Sequence, residues 1–375
     1  MKYILFTGCT CVILLLAGFV PRQYDDHKTL QIGAAAPDFQ LKGVDDKIYN
    51  LASFKNAEVL VIVFTCNHCP TAQAYEDRLI KLTTDYADKS VAVVAINPND
   101  PASLRLDELD FSDLGDSFEE MKIRAKEKKF NFPYLYDGET ETASKAYGPI
   151  ATPHVFIFDK DRKLRYEGRV DDMENPFKTP TSTDARNAID ALINHRDVPV
   201  KTTKVFGCSV KWSEKKEQVQ KAKEKWAKEP VHLNLINEDS VKSMMKNPTG
   251  KLRLIYVWEI QSVPSVQAFP DLISINRMYR DRDFELISLC TDVPGNKDKV
   301  LQFLQKQEAS NANYLLSIVD KNNMTKVINP LWGGEFPYTM LVEPGGEIVY
   351  SKEGPVDPAK LKTIIVNNHL LGRYP

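Results

Sequence analysis

Cysteine is scarce in this chain: six in 375 residues, far too few for a fold built on disulfides. Net charge is scarce too. Lys and Arg total 49 against 51 Asp and Glu, a formal charge of −2, so nothing in bulk electrostatics draws the chain to nucleic acid or an acidic membrane. What is present is the composition of a soluble globular protein, 43% hydrophobic and 27% charged. The length suggests two domains, each able to bury its own core.

The N-terminus reads as an address. Lys2 precedes an apolar run from Ile4 to Val20, broken only by Thr7, Gly8 and Thr10, and Pro21, Arg22, Asp25 and Asp26 end it. This is the pattern of an export signal, and its 17 residues also reach the lower edge of a membrane span. Adjacent Ala17 and Gly18 followed by Phe19 make a poor cleavage site, and no cysteine follows LLLAG, which argues against a lipoprotein. Residues 1–24 are expected to be a signal peptide or an uncleaved anchor, with a buried N-terminal helix as the alternative. Export would place the chain in a periplasmic or other extracytoplasmic compartment, where disulfides persist. Cys9 and Cys11 fall in this segment, leaving Cys66, Cys69, Cys208 and Cys290.

Residues 59–65 (VLVIVFT) form a continuous apolar, β-branched run, as in a strand covered on both faces. Cys66-Asn67-His68-Cys69-Pro70 follows. Tyr75, Leu79, Leu82 and Tyr86 then recur at helical spacing over about 70–87, and a second strand covers 91–96. The unit is strand–CxxC–helix–strand, right-handed by default. Residues 98–117 read as a polar loop, 117–129 as a charged helix and 132–137 (FPYLYD) as a strand. Thr152-Pro153 introduces a hairpin, HVFIFD with KLRYEGR, so the sheet is mixed. A helix over about 184–195 closes this half. In 196–230, the stretch Lys211–Glu229 carries seven Lys and four Glu, with Trp212, Val219 and Trp226 seven apart. That predicts a solvated connector helix with one narrow docking stripe.

The second half repeats the first. Strands are expected at Leu252–Trp258 and Phe284–Cys290, with a helix from about Pro264 to Arg280 between them. A helix over about 296–309 and the strand YLLSIVD come next, and Phe336-Pro337 introduces a second hairpin. Pro153 to Tyr166 and Pro337 to Tyr350 both span 13 residues, and Pro153 to Leu164 and Pro337 to Ile348 both span 11. Two tandem α/β copies account for this.

Cys-x-x-Cys between a strand and a helix has a chemical purpose. Free N–H groups and the positive end of the dipole favour thiolate at the helix start. The expected arrangement is Cys66 as nucleophile at that start, Cys69 as resolving thiol one turn on, and His68 as a nearby cation. Thr65 and Asn67 flank Cys66. A cis Thr152-Pro153 would free its neighbour's backbone for a substrate chain.

These residues resemble the thioredoxin superfamily. Residues 31–212 resemble its peroxiredoxin-like (AhpC/TSA, redoxin) branch, through Cys66–Pro70 (CNHCP), Phe132–Asp137, Tyr147-Gly148, Thr152-Pro153, Tyr166–Asp172 and Gly207–Trp212 (GCSVKW). The resemblance implies thioredoxin-like folds, each a central mixed sheet flanked by helices, and antioxidant or redox-homeostatic chemistry through a Cys66–Cys69 disulfide without a bound cofactor. It does not extend to the peroxidatic pattern P-x-x-x-T-x-x-C, which neither cysteine satisfies. Leu60 stands where thioredoxins keep a buried Asp, and His154 where the branch carries an acid. Residues 231–375 resemble a thioredoxin domain of the TlpA or ResA kind in which Ser262 and Ser265 replace the cysteines. A serine pair forms no disulfide and is a poor nucleophile without a base.

The expected organisation is a redox-active domain over 28–200, the GCSVKW segment and charged linker over 201–230, and a redox-inactive copy over 231–375. Its function would be exported thiol–disulfide exchange with protein thiols or disulfides and an upstream thiol–disulfide donor or acceptor. No nucleic-acid partner is expected, and membrane contact only through the N-terminal segment. Two alternatives stay open: a copper- or zinc-binding metallochaperone using Cys66, Cys69 and His154, and a non-catalytic binding module. Cys208 is either a third relaying thiol or a packed small side chain. Cys290 reads as a buried free thiol, Tyr166, Phe156 and Trp258 as core or rim aromatics, and Asp171-Asp172 as a solvated turn.

Overall fold

The computed structural model describes residues 27–175, 177–317 and 321–374, the stretch 321–324 by its backbone alone. The segment expected at 1–24 lies outside them. Among the described residues, no helix is long and apolar enough to cross a membrane.

In the N-terminal half every residue of Val59–Phe64 is buried, as an all-apolar strand must be at the centre of a covered sheet. It pairs in parallel with Val91–Asn97 and antiparallel with His154–Phe158. Tyr134–Tyr136 extends one side and the hairpin return Leu164–Gly168 the other. A short hairpin, Leu41–Gly43 with Ile48–Tyr49, completes the seven strands and was not foreseen. Because side chains alternate across a strand, Val59, Val61 and Val63 pack beneath the helices Pro70–Asp85 and Asp184–Ile193. Leu60, Ile62 and Phe64 face the other way, onto Tyr147, Phe156 and Phe158.

The C-terminal half uses the same plan. Leu252–Trp258 lies parallel to Phe284–Cys290 and antiparallel to Tyr338–Val342, with Ile348–Glu353 as the hairpin return. The single helix expected from about Pro264 to Arg280 is two, Val263–Gln267 and Phe269–Tyr279. Pro270 is the cause: it has no N–H to donate and is tolerated in a helix's first turn.

The repeat holds at the level of register. Tyr166 pairs with Ile157 and Tyr350 with Leu341, each partner four residues beyond its proline. Both hairpins shift register at the next residue, between Ile157 and Phe158 and between Leu341 and Val342. Thr152-Pro153 and Phe336-Pro337 are both cis.

The connector helix is Lys216–Ala227, with Val219 and Trp226 buried. Trp212 is half-buried beside His27, ring centroids 4.1 Å apart. Residues 98–117 are more than a polar loop. Leu106 and Leu109 pack on the C-terminal core, and the Tyr279 hydroxyl donates to the Ser112 carbonyl at 2.8 Å. Arg282 donates to the Asp110 carbonyl at 2.8 Å and covers the Phe111 ring. Arg373 grips Asp113 through two bonds of 2.7 and 2.8 Å. The second fold thus holds a loop that belongs to the first.

Candidate functional site

The helix after the central strand begins at Pro70, and Cys69 is its N-cap with extended backbone (φ −71°, ψ 122°). Proline suits the first helical position, where no N–H partner is needed. This corrects the expected placement: Cys69 occupies the helix start, and Cys66 lies three residues before it. The strand register of the two halves agrees. Val63 and Tyr256 each pair with the second residue after a cis-proline, and Cys69 and Ser262 each lie six residues further along. Ser262 is likewise an N-cap. Cys69 therefore corresponds to Ser262 and Cys66 to Glu259, not to Ser265 and Ser262 as the sequence suggested. Ser265 donates to Ser262 Oγ at 2.8 Å, a hydrogen-bonded pair of alcohols at the start of the second helix.

Cys66 and Cys69 are free thiols, 3% and 0% exposed, and pack in one small cluster with Ala72. Cys66 Sγ lies 3.1 Å from Thr152 Oγ1, and Cys69 Sγ 3.4 Å from the Thr152 carbonyl. The cis Thr152-Pro153 element thus adjoins both thiols. Thr65 is buried, and its N–H continues the sheet to the Ile96 carbonyl at 2.9 Å. Asn67 is locked on several sides. Its side chain donates to the Gly115 carbonyl at 2.8 Å and accepts from the Tyr134 hydroxyl at 3.2 Å, and its own carbonyl accepts from Gln73 at 2.8 Å.

His68 reveals a residue the sequence did not single out. Its Nδ1 lies 2.6 Å from Asp116 Oδ2, with both side chains buried. Asp116 Oδ1 accepts the N–H groups of Asn67 and His68 at 2.8 and 3.3 Å, and Oδ2 accepts from Asn99 Nδ2 at 2.7 Å. Leu60 sits in the core, so the buried acid of this site comes from the 98–117 loop instead. The signal for it was slight: 48 residues separate Asp116 from His68, and only the Ser117–Glu120 capping box marks where the loop ends.

The electrostatics separate the two thiols. Burial pushes the Cys66 thiol well up, and its bond to Cys69 and the Asp116 charge push the same way. Burial also opposes the Cys69 thiolate. Hydrogen bonds from Cys208 and Cys66, the His68 charge and the Ala72 N–H reverse it, holding Cys69 well below the usual thiol range. Burial disfavours the His68 imidazolium, but Asp116 outweighs it and raises the histidine above its ordinary value. Burial opposes the Asp116 carboxylate too, and His68 with the surrounding donors holds it low. The arrangement favours a His68–Asp116 ion pair and, beside it, the Cys69 thiolate.

Cys208 joins this cluster from 139 residues away, its N–H donating to Cys69 Sγ at 3.3 Å. Cys208–Ser209 pairs antiparallel with Ala151–Thr152, placing Cys208 opposite Thr152. The Thr152 backbone, expected to be free for a substrate chain, is thus already taken by the chain itself. Gly207 makes this approach possible. It has φ +130°, and a Cβ there would stand 2.0 Å from the Thr152 carbonyl oxygen.

His154 does not reach the thiols. It is fully buried, its Nδ1 accepting the Ile150 N–H at 3.3 Å and its Nε2 lying 2.9 Å from Glu167. Among the described residues, no group with ligand atoms within 4.8 Å of one another joins His154 to Cys66 and Cys69. Among the described residues, Cys66, His68 and Asp116 are the one group with ligand atoms all within 4.8 Å of one another. Both Asp116 oxygens already accept two bonds each and His68 Nδ1 is committed to them, while His68 Nε2 is buried without a hydrogen-bond partner. Asp171 is buried, accepting from Tyr75 at 2.8 Å and pairing with Arg78 at 2.8 Å, which corrects the solvated-turn expectation. Cys290 is buried in the second core, as are Tyr166, Phe156 and Trp258 in theirs.

A mixed sheet, a strand–CxxC–helix junction and a cis-proline beside the thiols define a thioredoxin-like protein. Residues 32–167 match the AhpC/TSA family. A hypothetical protein of Sinorhizobium meliloti 1021 is 33% identical, covering 50% of this chain and 97% of that one (TM-score 0.45). An uncharacterized conserved protein from Geobacillus kaustophilus is 40% identical, covering 49% and 93% (TM-score 0.44). The thioredoxin domain of a thiol-disulfide oxidoreductase from Bacteroides vulgatus is 17% identical, covering 36% and 86% (TM-score 0.30). No curated protein matches the chain.

Proposed function

We propose that this is an exported thiol–disulfide oxidoreductase acting through Cys66 and Cys69, with a redox-inactive second thioredoxin-like domain. The observation that carries the reading is the asymmetry of the two buried thiols. Cys69 sits on the helix N-cap beside the His68–Asp116 pair, which favours its thiolate; Cys66 lies against Thr152, where burial and the Asp116 charge favour its thiol. The nucleophile is therefore Cys69 and the resolving thiol Cys66, the reverse of the assignment from spacing alone. When the Cys66–Cys69 disulfide is reduced, a partner dithiol gives up two electrons and two protons, and the partner leaves oxidised. Its partners are protein thiols or disulfides. The N-terminal apolar run of residues 4–20 supports export. Ser262 and Ser265 hold no thiol chemistry. The absence of the P-x-x-x-T-x-x-C frame argues against efficient peroxidase action.

The test is insulin reduction with dithiothreitol as electron source. Wild-type protein accelerates it, and Cys69→Ser and Cys66→Ser each abolish the acceleration. A Cys69→Ser variant with full activity removes this reading and leaves a non-catalytic binding module.

A further inference from the structure

Cys69 is fully buried and Cys66 nearly so, yet the proposed exchange needs a partner's sulfur to reach this cluster. The partly exposed thiol of the three is Cys208. It packs against the cluster of Cys66, Cys69 and Ala72, and its backbone N–H lies 3.3 Å from Cys69 Sγ.

The segment that carries Cys208 is built in rather than loosely apposed. Upstream, Thr203 bonds to the Glu167 carbonyl, to Tyr166 and to the Arg169 N–H at 3.2, 2.7 and 3.0 Å. Downstream, the Lys211 N–H donates to Asn99 Oδ1 at 2.8 Å and its carbonyl accepts the Asp100 N–H at 2.9 Å. Ser213 places two bonds on Glu141, of 2.5 and 2.7 Å. Between these anchors, Cys208–Ser209 occupies the edge of Ala151–Thr152 that an incoming chain would otherwise pair with. A partner that cannot pair at Thr152 meets the cluster at Cys208.

Resting on the dithiol reading above, we infer that Cys208 is a relay thiol, exchanging disulfides with Cys69 and carrying electrons between the buried pair and a partner dithiol. The Cys208 thiolate attacks Cys69 Sγ of the Cys66–Cys69 disulfide. The Cys69–Cys208 bond forms, the Cys66–Cys69 bond breaks, and Cys66 leaves as thiolate and takes up the proton that Cys208 gave up. No net oxidation occurs in this step. A partner thiolate then attacks Cys208, forming a mixed disulfide and expelling Cys69. Cys69 is suited to leave because a sulfur favoured as thiolate is the better leaving group. The partner's second thiol attacks its own sulfur in the mixed disulfide and releases Cys208 reduced. Overall, two electrons and two protons pass from the partner dithiol to Cys66 and Cys69. Run backwards, the same steps oxidise a partner.

The test uses the full chain in two forms. Cys66→Ser leaves Cys69 and Cys208 as neighbours. Mild diamide oxidation should give a Cys69–Cys208 disulfide within one molecule, seen as a linked tryptic peptide pair by mass spectrometry. Intermolecular dimers alone would overturn the relay. Cys208→Ser keeps Cys66 and Cys69. It should still form their disulfide, while insulin reduction slows by about tenfold or more, as loss of an exchanging thiol requires. An unchanged rate overturns the relay and leaves the dithiol reading intact. Wild-type protein inactive on insulin would remove both.

Discussion

Replacing Asp116 by Asn tests the electrostatic core of the site while nearly preserving shape. Asp116 accepts four hydrogen bonds, including the 2.6 Å contact from His68 Nδ1 and the 2.7 Å bond from Asn99. An amide has one accepting oxygen, so two of these four buried donors lose their acceptor whichever way the amide is turned, and His68 loses its counter-charge. Breaking a buried pair in this way costs about 3–5 kcal/mol. His68 then loses the partner that raises it, and Cys69 loses a charge that favours its thiolate, so its thiol should move up. Cys66 moves the other way, because the Asp116 charge holds its thiol up. The titrations of the two thiols should therefore converge.

The pH dependence has a defined sign. His68 is raised from 6.5, so its contribution to stability is full below 6.5 and lost as pH rises through its folded value. Asp116 is lowered from 3.8, so its contribution is full above 3.8 and lost as pH falls through its folded value. The pair stabilises most between those two ordinary values, and Asp116→Asn should lower urea-derived stability most within that window and lessen the fall on either side of it. Thiolate absorbance at 240 nm, followed against pH in the reduced protein, reads the Cys69 shift. An unchanged titration in a variant that has lost stability would refute the claim that the pair supports the thiolate.

Two further outcomes follow from the geometry around this pair. Gly207→Ala puts a Cβ 2.0 Å from the Thr152 carbonyl at φ +130°. It should lower stability by about 1–3 kcal/mol and, combined with Cys66→Ser, reduce the yield of the Cys69–Cys208 linkage; an unaltered melt and yield would contradict the close approach. Asp113→Ala removes the bonds from Arg373 and Thr363, of 2.7 to 2.8 Å, that tie the second fold to the loop bearing Asp116. Denaturant titration should show a loss of about 1–3 kcal/mol, with the Cys69 titration moving upward; a loss of stability with no movement would mean that the second fold does not position Asp116.

Much of the architecture was legible in the chain because it depends on local patterning. The buried run at 59–64, the helical spacing of Tyr75, Leu79 and Leu82, and the equal spans after Pro153 and Pro337 each have one low-energy arrangement, and the strands, helix and repeated hairpins formed there. The elements overlooked were short, such as Leu41–Gly43 and Ile48–Tyr49, where two or three residues carry no periodicity. The break before Phe269 lay in view at Pro270 but was overridden by the apolar spacing around it.

The scarcity of cysteine narrowed the chemistry to Cys66, Cys69 and Cys208, and the paired prolines marked what lies beside the first two. Spacing alone could not say which cysteine caps the helix, because that depends on where the strand ends and the turn closes. Nor could it bring Asp116 to His68, Cys208 to Cys69, or Asp113 to Arg373. Those contacts join residues 48, 139 and 260 positions apart. A one-dimensional pattern reports which face of an element is apolar, and it carries no record of which distant polar groups a buried charge or thiol will find. Only the folded chain, in which most buried polar groups must find a partner, decided that.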